Sequence, residues 1–136
     1  MTTQALLQQA KAACPQLAWL GSEEKNQAIY KMADAIVKNT DAILAANAED
    51  LHAAQGVISD VMLDRLRLTK GRIAAMADGM RQVAKLPDPV GEILAEVKRP
   101  NGLVIRKTAV PMGVVAIIYE SRPNVTSDAA VLALTH

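Results

Sequence analysis

The spacing of apolar residues changes once along this chain. Up to Ala84 apolar side chains recur three and four positions apart, which gathers them on one face of a helix. A first helix is expected from about Thr3 to Ala13, in an Ala/Gln/Leu-rich stretch that Pro15 should disturb, because proline lacks the N–H a helix interior needs. After a break at Leu20-Gly21-Ser22, Ser22 is suited to cap a second helix, whose first turn carries Glu23 and Glu24 at the positive end of its dipole. Ile29, Met32, Ala33 and Ile36 form its apolar face. A third helix is expected from near Thr40 to Gln55, with Leu44, Ala48 and Leu51 on one side and Gly56 just past its end. Ser59 begins a short fourth. From Thr69 the pattern is clearest: Ile73, Met76, Ala77, Met80, Val83 and Ala84 define one buried stripe.

Pro87-Asp88-Pro89 ends the helical part, since each proline pushes the residue before it out of helical geometry. Residues 92–99 and 103–110 are rich in Val, Ile and Leu, and Asn101-Gly102 between them favours a β-hairpin because both residues tolerate positive φ. The run Gly113-Val114-Val115-Ala116-Ile117-Ile118-Tyr119 is continuously apolar, as in a strand buried on both faces of a parallel sheet. Val125 to Leu134 returns to helical composition. The fold class is therefore α/β, divided into a helical part at 1–90, a hairpin at 91–110, and one strand with its helix at 111–136. A parallel sheet needs further strands to bury such a strand. The chain is thus expected to be an unfinished domain.

Composition alters this picture little. With 51% apolar and 21% charged residues the chain is ordinary for a soluble globular domain, and disorder is not expected. A net charge of +1 provides no long-range field to attract nucleic acid or anionic membranes. The longest apolar run, Ala109 to Tyr119, contains Pro111 and Gly113 and is too short to span a bilayer. The first residues lack the features of a secretory signal, and the single cysteine, Cys14, suits a reducing compartment, so a cytoplasmic protein is expected. Cys14, beside Pro15 in a terminal helix with no basic partner in sequence, reads as a buried or incidental cysteine. His52 and His136 have no metal-ligand spacing, so no metal site is expected.

The candidate chemistry lies at the end of the apolar run. In open parallel sheets ligands collect where a strand's carboxyl end meets the next helix N-terminus, and Glu120 to Thr126 occupies that place. The alternative is that Arg122, Asn124 and Thr126 only end the strand and cap the helix. No Gly-x-Gly-x-x-Gly dinucleotide fingerprint occurs.

The segment Pro111-Met112-Gly113-Val114-Val115-Ala116-Ile117-Ile118-Tyr119-Glu120-Ser121-Arg122-Pro123-Asn124-Val125-Thr126 resembles the signature of the γ-glutamyl phosphate reductase family, a branch of the aldehyde dehydrogenase superfamily. Residues 46–50, 62–66 and 88–91 are also similar to that family, and the resemblance covers the chain from about Ser22 onward. It implies an aldehyde-dehydrogenase-like nucleotide-binding domain, of which this chain supplies the first part. It implies an NADPH-dependent oxidoreductase of proline biosynthesis that reduces γ-glutamyl phosphate to glutamate-5-semialdehyde and releases phosphate. The family's nucleophilic cysteine would lie beyond residue 136, so the chain alone is expected to be inactive.

The resemblance makes Glu120, Ser121, Arg122, Pro123 and Asn124 the candidate cofactor- or substrate-binding residues, and Asn124 the candidate oxyanion donor. An ungapped alignment places the superfamily's asparagine against Arg122 instead, so that role for Asn124 requires a two-residue shift. Arg122 is suited to pair with a substrate carboxylate or phosphate, or with an internal acid. The hairpin resembles a β-flap that joins subunits, which leaves open a homo-oligomer and, in a different class, a non-catalytic folding or oligomerisation module.

Overall fold

The computed structural model describes residues 2–135. In chain order it contains helices α1 (Thr3–Leu17), α2 (Ser22–Lys38), α3 (Thr40–Ala54), α4 (Asp60–Leu66) and α5 (Lys70–Val83), the strands β1 (Ile93–Lys98) and β2 (Val104–Thr108), and α6 (Pro123–Thr135). The expected α/β class stands, as a helix-rich arrangement with one antiparallel hairpin, consistent with part of an α/β domain.

The core forms where α2, α5 and α6 meet. Ile29 and Ala33 from α2, Ala77 and Met80 from α5, Ala84 just beyond it, and Val131 from α6 are packed together and almost fully buried. Most of these residues lie on the helical stripes read from the sequence. Alanine at three of the six positions keeps the helix axes close, leaving Ile29, Met80 and Val131 to fill the space between them. On α6, Ser127, Val131 and Thr135 are buried at four-residue intervals, so this helix joins the core although the hairpin separates it from α5 in sequence.

Several local expectations change. Helix α1 runs through Pro15 to Leu17, because the proline sits in the last turn, and the ladder continues past it with Ala18 N–H donating to the Cys14 carbonyl at 3.0 Å. Ser22 is not a cap: Gly21 holds that position, and its N–H donates to the Glu24 carboxylate at 2.9 Å. The Ser22 hydroxyl instead donates to Asp88 at 3.1 Å. On α3, Leu44 and Leu51 are half-buried as expected, whereas Ala48 is exposed and the buried residue is Asn47.

The hairpin forms where the sequence predicts it, with Glu96 opposite Arg106 and an ion pair of 2.8 Å between them. Its loop is longer than a two-residue Asn-Gly turn. Arg99 pairs with Leu103 and accepts from Gly102 N–H at 2.9 Å, so Pro100 and Asn101 take the turn positions and only Gly102 adopts positive φ, at 84°. Residues 113–119, expected as a buried strand, form no strand and are exposed. A strand is stabilised by its neighbours, and the described residues offer this segment none.

Candidate functional site

The turn into α6 brings the candidate residues to the surface of the helical core. Ser121 has φ of 52°, in the left-handed region that non-glycine residues seldom occupy, and the chain bends here between the apolar run and α6. Pro123 is the first helical residue of α6, where its missing N–H costs nothing and its fixed φ suits the helix. The first turn is tightened by Val125 N–H donating to the Arg122 carbonyl at 3.1 Å and by the Ser127 hydroxyl donating to the Asn124 carbonyl at 2.8 Å. Tyr119 and Thr126 share a hydroxyl–hydroxyl hydrogen bond across this turn.

Of the five candidate residues, Arg122 and Asn124 come together. They line one wall of an open cleft of 340 Å³, whose other wall is the end of α4, the following loop and the start of α5. Glu120 and Ser121 do not line this cleft, and Pro123 faces a neighbouring apolar groove with Met76, Met80 and Thr126. The Asn124 amide nitrogen donates to Asp128 at 3.0 Å, one helical turn on. That bond uses one of its two N–H groups.

The opposite wall is rich in arginine, and it was not singled out for chemistry in the sequence. Arg65, Arg67 and Arg72 line it with Asp64. The Arg72 guanidinium grips both carboxylate oxygens of Asp64 at 3.1 and 3.2 Å and also donates to the Asp64 and Arg67 carbonyls, a fork that fixes the loop. Asn47 braces the same loop from below. Its amide donates to the Leu66 carbonyl at 2.9 Å and its oxygen accepts from Leu68 N–H at 2.7 Å, bracketing Arg67. Asn47 and the Asp64-Arg65 pair fall inside the family-like runs at 46–50 and 62–66, the one signal in the sequence that marks them.

Asn47→Ala should free the loop and leave the Leu66 carbonyl and Leu68 N–H without their partner, lowering stability by about 1–3 kcal/mol. Urea unfolding of variant and parent would measure this, and faster exchange confined to the Leu68 amide would locate the damage.

Cys14 is half-buried in a different groove, of 390 Å³, with Pro15, Lys25, Val90 and Pro111 among its neighbours. It is not among the residues lining the arginine cleft. His52 is exposed in the last turn of α3, and His136 lies outside the described residues. Among the described residues no cluster of three or more His, Cys, Asp or Glu is arranged to hold a metal, and no helix is long and apolar enough to cross a membrane.

No protein-family model matches the chain. The γ-glutamyl phosphate reductases of Streptococcus pneumoniae strains Hungary19A-6 and D39 are each 55% identical to it over 134 residues, covering 98% of this chain and 32% of the relative. The solved structure of γ-glutamyl phosphate reductase from Thermotoga maritima superposes with a TM-score of 0.92 at 38% identity, over 94% of this chain and 31% of that one. The enzyme from Saccharomyces cerevisiae superposes with a TM-score of 0.91 at 33% identity, over 99% and 35%. The chain therefore spans about a third of the length of these relatives. In sequence and in backbone alike, it is similar to the N-terminal portion of γ-glutamyl phosphate reductases.

Proposed function

We propose that this chain is the N-terminal part of an NADPH-dependent reductase that converts γ-glutamyl phosphate to glutamate-5-semialdehyde and phosphate in the proline pathway of the cytoplasm. The observation that carries this reading is the placement of the family-like run at 119–126. It turns into α6 beside a cleft lined by Arg122 and Asn124, in a chain 55% identical to reductases of that name. Residues 1–90 serve as the helical part of the cofactor domain, 91–110 as a flap, and 111–136, which contribute α6, as the start of its nucleotide-binding layer. Asn124 keeps one amide N–H for a developing oxyanion while Asp128 holds the other.

The residues present do not by themselves form a dinucleotide site. No glycine-rich turn precedes α6, and Pro123 occupies the helix start where a backbone N–H would otherwise face a pyrophosphate. NADPH would supply hydride in the whole enzyme, bound largely by other parts of it. The nucleophile is likewise not at this cleft, since Cys14 lines another groove.

The test is a chimera in which these 136 residues replace the matching portion of the S. pneumoniae enzyme. NADPH oxidation that requires γ-glutamyl phosphate is expected from the chimera and not from the purified chain. A well-folded chimera without turnover would overturn the assignment, and turnover by the chain alone would overturn its inactivity.

The second reading, a folding or oligomerisation module, is favoured by the hairpin alone. Leu94, Val97, Leu103, Val104 and Ile105 are all exposed there, an apolar surface of the kind found at interfaces. Light scattering over a concentration series should show self-association, and a strict monomer would remove this reading.

A further inference from the structure

We propose that the hairpin tip is a site of spontaneous covalent modification, at which Asn101 loses its side-chain ammonia and becomes isoaspartate or aspartate, and that isoaspartate unfastens the turn. The proposal rests on the hairpin and not on the reductase reading. The chemistry needs only the chain and water. The Gly102 backbone nitrogen gives up its proton to hydroxide and bonds to the Asn101 side-chain carbonyl carbon. The carbon–nitrogen bond of the side-chain amide then breaks, and ammonia leaves with a proton returned from water. The five-membered succinimide so formed takes up water at one of its two carbonyls. Opening at the side-chain carbonyl gives aspartate, and opening at the backbone carbonyl gives isoaspartate, in which the main chain runs through the side-chain carbons. Nothing is oxidised or reduced.

Three observations favour the reaction here. The first is access to the attacking nitrogen. Asn101 is the one asparagine of five in the chain that is followed by glycine, whereas Gln27, Thr40, Ala48 and Val125 follow the others. A Cβ placed on Gly102 would meet no atom within 4 Å, so the space for ring closure is open. The second is the pose of the side chain. Asn101 Oδ1 accepts from Leu103 N–H at 3.2 Å, which curls the side chain toward the Gly102 peptide whose nitrogen it must meet. The amides of Asn39, Asn47 and Asn124 are instead tied to Ala35, Leu66 and Asp128.

The third is how little holds the attacking N–H. It donates to the Arg99 carbonyl at 2.9 Å, and that bond must open before the nitrogen can lose its proton. Residues 99–103 are all exposed, and β1 and β2 pair only with each other among the described residues, so opening the tip disturbs no buried contact. Asp78-Gly79 is the contrasting case. An aspartate before glycine isomerises through the same ring, yet this pair lies inside α5, where the helix ladder engages the Gly79 N–H and Arg81 holds the Asp78 carboxylate at 3.1 Å. The sequence marks both positions, and the fold leaves the hairpin one open.

The product differs from the parent in charge and in length. A carboxylate appears near Lys98 and Arg99, and one charge removed from +1 leaves the chain neutral. Isoaspartate also adds one backbone atom to a turn closed by the Gly102–Arg99 hydrogen bond on one side and the Arg99–Leu103 pair on the other. The strands keep the second, so the first is the bond that loses its register.

The experiment is peptide mapping by mass spectrometry of the 136-residue chain, aged at one temperature and at about pH 6, 7 and 8. The Asn101 peptide should gain about 1 Da and take its new carboxyl oxygen from isotopically labelled water. Its rate should rise about tenfold per pH unit, as the population of the amide anion does. Peptides carrying Asn26, Asn39, Asn47 and Asn124 should lag it by about tenfold or more. Asn101→Gln should abolish the reaction, because the ring would be larger. Gly102→Asp keeps a residue that tolerates positive φ and should slow it about tenfold by crowding the nitrogen. The isoaspartate form, separated by ion exchange as a more acidic species, should exchange its Gly102 amide about tenfold faster. Equal modification of all five asparagines would overturn the proposal. So would a folded chain that reacts more than about a hundredfold slower than the guanidinium-unfolded chain, since the turn would then protect the site. Unchanged exchange at Gly102 would overturn the unfastening of the turn. If the exposed hairpin makes the isolated chain aggregate, the same map of the chimera gives the same comparison.

Discussion

Replacing Ile29 with alanine is expected to lower the unfolding free energy by about 2–4 kcal/mol, the largest effect of any single change considered for this chain. Ile29 is fully buried on the face of α2 that meets α5 and α6, and its neighbours in that cluster include Ala33, Ala77 and Ala84. Alanines have no side-chain freedom with which to fill a void, so the space left by three lost carbons would persist as a cavity rather than collapse. A stability of about 5–15 kcal/mol is normal for a domain, so such a loss would consume a substantial share of it. Urea unfolding measures the effect directly, with the m-value unchanged if both variants expose the same surface. Val61→Ala, at an exposed position on α4, is the control and should shift stability by no more than about 0.5 kcal/mol. A loss below about 1 kcal/mol for Ile29→Ala would mean that the α2–α5–α6 junction is not the centre of stability.

The helices were legible because their signal is local. The stripe from Ile73 to Ala84 needs only the 3.6-residue period and an apolar partner, and it reappears as the buried face of α5. Local signals misled where a distant group competed for the same atom. Ser22 has the chemistry of a cap, yet its hydroxyl is drawn to Asp88, 66 positions away, while Glu24 caps Gly21 instead. Ala48 fits an apolar stripe, but Asn47 is the residue turned inward, because two backbone groups of the α4–α5 loop need its amide. The segment 113–119 shows the limit of pattern reading in another way. Its composition predicts a doubly covered strand, and whether a strand forms depends on neighbours that composition does not contain.

The candidate site was half legible. The run at 120–124 drew attention through its place before a helix, and Arg122 and Asn124 do share a cleft. The other wall carries no such signal, because Arg65, Arg67 and Arg72 sit 57, 55 and 50 residues before Arg122, in what reads as ordinary charged helix ends. Only the packing of α6 against α5 brings the two walls together. Charge counted along the chain averages to almost nothing and hides a cationic cleft that forms in three dimensions.

Asp88→Asn is expected to destabilise the chain by about 1–3 kcal/mol at neutral pH and by progressively less in acid. Asp88 lies just beyond α5 and ties the chain back to α2. One carboxylate oxygen lies 2.9 Å from the Lys25 ammonium and 3.1 Å from the Ser22 hydroxyl, and the other accepts from Val90 N–H at 3.0 Å. The Lys25 and Asp88 side chains are only 7% and 12% exposed. Burial pushes the Asp88 carboxyl up, but the hydrogen bonds from Lys25, Val90 and Ser22, with the charge of Lys25, outweigh it and hold the group below its ordinary value of 3.8. A carboxylate whose pKa is lowered by folding adds stability that is complete above the unfolded value and is lost as the pH falls through the folded one. The difference between parent and variant should therefore be constant near neutrality, shrink below about pH 4, and vanish once Asp88 is protonated in both states. The neutral-pH loss comes mainly from Lys25, left buried with a charge and no carboxylate to meet it. Lys25→Met/Asp88→Leu tests that account by removing both charges. It should recover most of the lost stability and have no dependence on this titration, whereas a double variant as unstable as Asp88→Asn would show that the hydrogen bonds to Ser22 and Val90, and not the stranded ammonium, set the cost.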